Sequence, residues 1–458
     1  MHSSKTSTIS LIIRNFHLSW YILVLSWAGT ALAIDSKQGF SPDVENVCNI
    51  LGTIIWVWGL LYWIICTCLL AARIIVYPEA FWKMMQEPNE FPIFGCVPMS
   101  LGVLGMGIVS FGPNIMPANV AFEIAYVLFI VVGVFSVLTI GVVPYMMIAY
   151  QRHALSSMST AWLLPFITLV IASAQAGVVG GAQEDLGRQK GCLLAGLVMW
   201  GAGMLTAAPI IAMYMIRMII YGFPPGQAGN SVWSILGPIG QGCNAILILG
   251  RNTVTLQNEG VFCDSPGSIY TDNRCTGPLT PLMAFGSVMP AIALLIGLLL
   301  WGVGIWWLGC ATVGSFYHSK KIHSLVAMLR NPSTTLGALK ASSLAIEGHL
   351  SRTRDVEKIL GGKVDDDLKQ TQQKPEMPFN LSWWGVVFPL GTISIGSAQL
   401  FIETHQSLFR WTGVTLTCIL FSIAIYLHIK TARRIGKISF WSSFEPQSSS
   451  LETTPVRV

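Results

Sequence analysis

Three kinds of residue in this chain are placed to act on another molecule. The first is a series of prolines with glycine neighbours inside apolar stretches: FGCVPMSLG around Pro98, AWLLPFITL around Pro165, SILGPIGQG around Pro238, and VVFPLG with Pro389 and Gly391. A proline inside a helix removes one backbone hydrogen bond and wedges the turn apart. In hydrocarbon that is tolerated where protein or water re-satisfies the freed groups, so these helices are expected to line something. Backbone N–H groups and positive helix ends at such breaks hold an anion without any buried Lys or Arg. The second kind is the side-chain amide at depth, Gln175 in SAQAG and Gln241 in GPIGQG, the latter beside backbone left reachable by Gly237 and Pro238. A pore contact and a satisfied interhelical hydrogen bond both account for Gln175. The third kind handles protons. Glu123 is a carboxylate inside an apolar span, yet near enough to its end to snorkel to water. His17 reads either as a proton-sensing imidazole or as an interfacial anchor beside Trp20.

The chemistry that is missing narrows the function. There is no GxxxxGK[ST] phosphate loop, no HExxH, no GxSxG and no zinc-type cysteine set, so neither an enzyme nor a metal or other cofactor is expected. Cys66 and Cys68 form only a CxC within a span. A cation path usually carries intramembrane carboxylates, and only Glu123 qualifies. A small anion held by backbone dipoles fits the residues better.

The elements that must position these residues are membrane helices. The chain has 458 residues, 53% hydrophobic and 11% charged, where a soluble domain has about 25% charged residues. The expected fold is therefore all-α and integral to the membrane. Ten apolar spans fall at Asn15–Ile34, Ile50–Val76, Phe94–Phe111, Ala121–Ala149, Ala161–Val179, Gly191–Arg217, Val232–Leu249, Pro281–Phe316, Ser382–Ile402 and Leu408–Ile429. Pro98 and Pro165 are 67 residues apart, Pro165 and Pro238 73, and Pro238 and Pro389 151, about two such steps. A further step back from Pro98 lands on Gly29 in the first span. Five helical hairpins follow, each opening with a broken helix, as in many transporters built from repeats.

Segments 1–14 and 430–458 are then tails, 15–316 carries the first eight helices, 317–380 is a charged insertion, and 381–429 carries the last two. With both termini cytoplasmic, 21 of the 27 Lys and Arg residues lie inside, as the positive-inside rule asks. The net charge of +5 is thus a topology signal, and no nucleic-acid partner is inferred from it. The polar start MHSSKTSTISLII shows no cleavable leader pattern. Cys263 and Cys275 share the outer loop between the seventh and eighth spans, where oxidising conditions allow a disulfide. The insertion is expected to serve either as a site for a cytoplasmic regulator or as a flexible loop.

The stretches NFHLSW, STAWLLPFITLVIASAQAGVVGG, PPGQAGNSVWSILGPIGQG and PFNLSWWGVVFPLG resemble the tellurite-resistance/dicarboxylate transporter family. That family includes fungal sulfite efflux pumps, malic acid permeases and plant slow anion channels, and the sulfite-pump branch is the most similar. The resemblance covers about Asn15 to Ile429 without the insertion. It implies ten helices in five hairpins, the odd-numbered ones ringing a central pore, and often a homotrimer. In the channel relatives an aromatic on the ninth helix plugs the pore, and Phe388 matches it. Sulfite efflux across the plasma membrane is the implied function, with C4-dicarboxylates such as malate as the alternative. A non-transporting scaffold or sensor is the rival of another class. The chain departs from the family at SWAGT, where relatives tend to have an MGTG-like stretch, and at SAQAG, where they tend to have an AASGG-like one.

Overall fold

A computed structural model describes residues 8–36, 39–224, 226–263, 269–271, 274–276, 281–317 and 381–435. The expectations for the 317–380 insertion, for most of the first tail and for nearly all of the last fall outside the described residues. The chain opens with α1 (Thr8–Arg14), α2 (Trp20–Asp35), α3 (Pro42–Val76) and α4 (Pro78–Gln86), followed by α5 (Cys96–Phe111) and α6 (Ala118–Tyr150). It continues with α7 (Leu164–Gly181), α8 (Leu186–Tyr221), α9 (Leu236–Asn258), α10 (Pro281–Tyr317), α11 (Trp384–Thr404) and α12 (Ser407–Ile435). Among the described residues nine helical segments are long and apolar enough to cross a membrane, and α2 is a shorter apolar helix. α2 begins five residues later than the Asn15–Ile34 span because the Ser19 N–H donates to His17 Nδ1, holding a non-helical turn before Trp20.

Local sequence sets the helix ends. Pro42 opens α3 with Asp43 and Glu45 in the first turn, where fixed φ and negative charge both suit the helix start. The Asp185 carboxylate caps α8 by accepting from the Gly187 and Arg188 N–H groups, satisfying donors that have no intrahelical partner. The long α10, with Pro290 inside it, exceeds the about 20 residues a bilayer needs, which calls for tilt or extension beyond the hydrocarbon. Between α9 and α10 the chain forms a two-stranded antiparallel pair, β1 (Ile269–Thr271) and β2 (Arg274–Thr276). This is a small departure from the all-α expectation. The β-prone Ile-Tyr-Thr run, separated from β2 by only two residues, favours it.

Two classes of helix result. The segments containing α5, α7, α9 and α11 are 67 to 83% buried along their most apolar stretch, against 22 to 28% for α3, α6, α8, α10 and α12. Twelve of the sixteen α2 residues are also buried. The inner helices therefore meet protein on nearly every side, and the outer ones present Leu, Ile and Val to the surroundings. Tryptophans of the outer helices fasten the two classes together. The Trp56 indole N–H of α3 donates to the Leu104 carbonyl of α5 at 3.0 Å, and that of Trp200 in α8 to the Gly242 carbonyl of α9 at 2.9 Å. Each bond satisfies a donor that would be costly to bury alone.

The prolines do not break the helices as expected. Each of α5, α7, α9 and α11 is preceded by a 3₁₀ segment, Phe91–Gly95, Thr160–Leu163, Gly226–Ile235 and Leu381–Trp383 respectively. Pro98, Pro165 and Pro238 fall in the first turn of the α-helix proper, where no N–H is needed and proline is tolerated. Pro389 alone of the four is interior to its helix; Pro144, Pro209 and Pro290 are interior to the outer helices α6, α8 and α10.

Candidate anion pathway

A cavity of about 500 Å³ runs between α2, α5, α7, α9 and α11. It opens where all five helices end, beside Asp35, Ser110, Gly181, Thr255 and Ile402. Its deepest aromatic is Phe388 of α11, only 6% exposed. The ring lies against Gly29 of α2, where a Cβ would stand 2.9 Å from Phe388 Cδ2. Only glycine leaves room for this ring in this position. The helices meet as closely at Gly240 of α9, where a Cβ would run into the Thr392 and Ile393 backbone of α11. The Thr392 hydroxyl lies 2.7 Å from the Pro389 carbonyl and 3.1 Å from the Leu236 carbonyl. That hydroxyl ties the proline-bearing turn behind Phe388 to the start of α9.

One face of α9 supplies most of the polar wall. Gln241, Asn244, Ile248, Arg251, Asn252 and Thr255 recur at helical spacing and all border the cavity. Gln241 is 2% and Asn244 3% exposed, and neither Gln241 Nε2 nor Asn244 Oδ1 has a protein partner. Asn252 is already engaged, donating to the Gly177 carbonyl of α7 at 2.7 Å. At the mouth Arg251 donates from Nε and Nη2 to Glu403 Oε1 at 2.9 and 2.5 Å, and from Nη2 to Gln399 Oε1 at 3.3 Å. Its charge is therefore matched within the rim.

Of the residues singled out in the sequence, the cavity gathers Gly29, Gln241 and Phe388. Gln175 is fully buried but turned toward Gly102 and Gly105 of α5, and neither of its amide atoms finds a partner there. Pro98, Pro165 and Pro238 sit toward the starts of their helices, at the far end from the mouth. Gly237 is buried, yet a Cβ on it would meet nothing within 4 Å, and it does not border this cavity. Pro389 follows Phe388 directly, and Gly391 forms the seam with α2, its would-be Cβ 3.7 Å from the Gly29 carbonyl.

The two proton-handling candidates lie off this path. Glu123 is exposed and pairs with Arg188 at 2.5 Å. His17 precedes α2, with Nε2 3.9 Å from Glu90 Oε2, and Glu90 in turn pairs with the buried Arg73 at 3.2 Å. Burial holds the His17 imidazole below its ordinary value, Glu90 pulls it up and Arg73 pushes it down again. Cys263 is disulfide-bonded, and the side chain of Cys275 lies outside the described ones. Among the described residues no group of three His, Cys, Asp or Glu side chains is placed to hold a metal.

Sequence reasoning missed Asn244, Arg251 and Asn252. The signal was there, a polar stripe at i, i+3, i+10 and i+11 from Gln241 in an otherwise apolar helix. Ending that span at Leu249 placed half the stripe outside it, whereas α9 runs to Asn258.

Apolar outer helices around a protein-lined cavity, walled by amides with its one arginine matched by a carboxylate, make a membrane transport protein. The profile of the voltage-dependent anion channel family (SLAC1) matches residues 15–432, and the chain belongs to that family. Among curated proteins it is 22% identical over 427 residues to the sulfite efflux pump SSU1 of Arthroderma benhamiae, covering 91% of this chain and 92% of the relative. It is 25% identical over 407 residues to the pump of the same name from Arthroderma otae, covering 88% and 86%. An uncharacterized transporter of Methanocaldococcus jannaschii, MJ0576, matches at 20% over 437 residues, covering 93% and 94%. The chain is a multi-pass membrane protein that carries small anions.

Proposed function

We propose that the protein exports sulfite across the plasma membrane, through a pore enclosed by the first helices of five repeated hairpins and gated by Phe388. The observation that carries this reading is the cavity itself. Five inner helices enclose it, amides and no unpaired charge line its depth, and one aromatic on glycine closes it. The relatives named as sulfite efflux pumps, matched over nearly their whole length, supply the substrate.

With both termini cytoplasmic, the cavity faces outward and the N-terminal ends of the inner helices face the cytosol. Their positive ends then favour cytosolic anions at the inner entrance. An anion loses part of its hydration there, passes when the Phe388 ring swings off Gly29, and leaves along the amide stripe of α9. Three copies form a homotrimer with one pore each, a regulator binds the 317–380 insertion, and Cys263 pairs with Cys275 at the outer surface.

The test is flux in liposomes holding the purified protein, with sulfite, malate, chloride and a cation compared. Sulfite flux well above malate flux, with no cation flux, is the expected result. Malate in excess of sulfite moves the protein to the dicarboxylate branch, and no anion flux from correctly folded protein overturns the reading.

A further inference from the structure

Between Phe388 and the cavity mouth the wall offers no net positive charge. Arg251 is about 10 Å along α9 from Asn244, at about 1.5 Å per residue, and is bound by Glu403 and Gln399. The charged groups that line the cavity are Asp35 at the end of α2 and Arg251 on α9, with Glu403 of α11 bound to the latter; α5 and α7 contribute none. Val103, Met106, Ile248 and Ile395 make the rest of the deep wall apolar. A doubly charged anion here would lose its hydration with no fixed positive charge to replace it.

Against that wall stand two amides one helical turn apart, each nearly fully buried, each bordering the cavity and each with one polar atom that no protein group satisfies. Gln241 Nε2 is a free donor and Asn244 Oδ1 a free acceptor. Buried polar atoms left without partners cost free energy, so an occupant that supplies both partners gains what the empty site lacks. A guanidinium or ammonium lining could only donate, whereas a pair of amides both donates and accepts. A halide can satisfy the donor but not the acceptor. An oxyanion that keeps one proton satisfies both, accepting from Gln241 and donating its O–H to Asn244.

Resting on the anion-transport reading above, we propose that Gln241 and Asn244 form a binding site for a singly charged, still protonated oxyanion. It selects hydrogensulfite over the sulfite dianion and over halides. The protein then moves one negative charge per sulfite, and the proton travels with the substrate. No titrating side chain is required in the pore, consistent with Glu123 and His17 both lying away from it.

The experiment is sulfite flux in proteoliposomes from pH 6 to 8, with chloride flux followed over the same range to remove any titration of the protein itself. Above sulfite's second dissociation, KM in total sulfite should rise about tenfold per pH unit, while KM expressed as hydrogensulfite stays constant. Asn244→Leu should lower the sulfite-to-chloride flux ratio at least tenfold. Asn244→Ser, which keeps a group that both donates and accepts, should recover part of it.

A KM in total sulfite that is flat or falls with pH means the dianion is carried, which overturns this proposal and leaves anion transport standing. Equal loss of sulfite and chloride flux in Asn244→Leu, with no recovery in Asn244→Ser although both proteins fold, also overturns it. Absence of all anion flux in the unsubstituted protein overturns the transport reading and the proposal together.

Discussion

The Phe388 ring and the Gln241–Asn244 step border one cavity and are built on opposite principles. At the first an apolar ring rests on a glycine and offers no hydrogen-bonding group. At the step two buried amides keep hydrogen-bonding capacity that the protein leaves unused. An apolar plug cannot distinguish one anion from another except by size, because it offers nothing to bond. Amides an helical turn apart discriminate by donor and acceptor pattern while blocking little. The division predicts that the two can be altered independently, the ring setting how much passes and the amides setting what passes.

The largest effect should come from removing the ring proposed as the gate. Phe388→Ala is expected to raise flux of every permeant anion about tenfold or more, which corresponds to lowering a barrier by about 1.4 kcal/mol. The sulfite-to-chloride ratio should stay within about twofold in that variant, since the amides are untouched. A ratio that collapses with the ring would merge the two devices into one. The next effect tests the seat. Gly29→Ala places a methyl 2.9 Å from the ring, and it is expected to unseat Phe388 and raise flux by less than Phe388→Ala does. Combined with Phe388→Ala it should add nothing, because the contact it disturbs is gone; additive effects in this double-mutant cycle would show that Gly29 acts elsewhere.

A smaller effect belongs to the rim. Arg251→Gln leaves Glu403 unmatched at the mouth and should reduce anion flux about threefold at low salt, whereas Glu403→Gln should raise it by a similar factor. Both shifts should fade by about 0.5 M salt, where the screening length falls well below 10 Å. Persistence at high salt would place the Arg251 charge inside the selective step rather than at its edge.

How much of this was legible in the sequence depends on the physics behind each signal. Apolar runs report removal from water, so among the described residues nine of the expected spans coincide with helices long and apolar enough to cross a membrane, and the first with the shorter α2. The proline spacing near 70 residues put Pro98, Pro165 and Pro238 where 3₁₀ turns give way to α-helix, and Pro389 in the interior of α11. A proline's effect depends on its distance from the helix start, which composition does not reveal. Gln175 and Asn244 show why the site was only partly readable. Both are amides in apolar helices, and only the rotation of each helix decides that one faces α5 and the other the cavity. Gly29 and Phe388 lie 359 positions apart in sequence, and their contact exists only because α2 and α11 meet along the Gly391 seam.

The smallest effect on transport should come from the polar cluster at the opposite end, which serves as a control on the comparison. There the Ser19 N–H donates to His17 Nδ1 at 3.1 Å, so the imidazole is neutral with its proton on Nε2, toward Glu90. Protonation would put a second N–H against the Ser19 donor, and burial already disfavours the charged ring. With its folded pKa below the ordinary value of 6.5, His17 contributes stability that is complete above pH 6.5. That contribution is lost as pH falls from 6.5 through the folded pKa, because the unfolded chain takes up the proton first. His17→Asn keeps a polar acceptor beside Ser19 and should flatten the acid limb of a thermal-stability profile, leaving flux and the sulfite-to-chloride ratio at pH 7.5 unchanged. If the ratio moved with His17, ion selection would extend through the whole bundle and would not be confined to one face of α9.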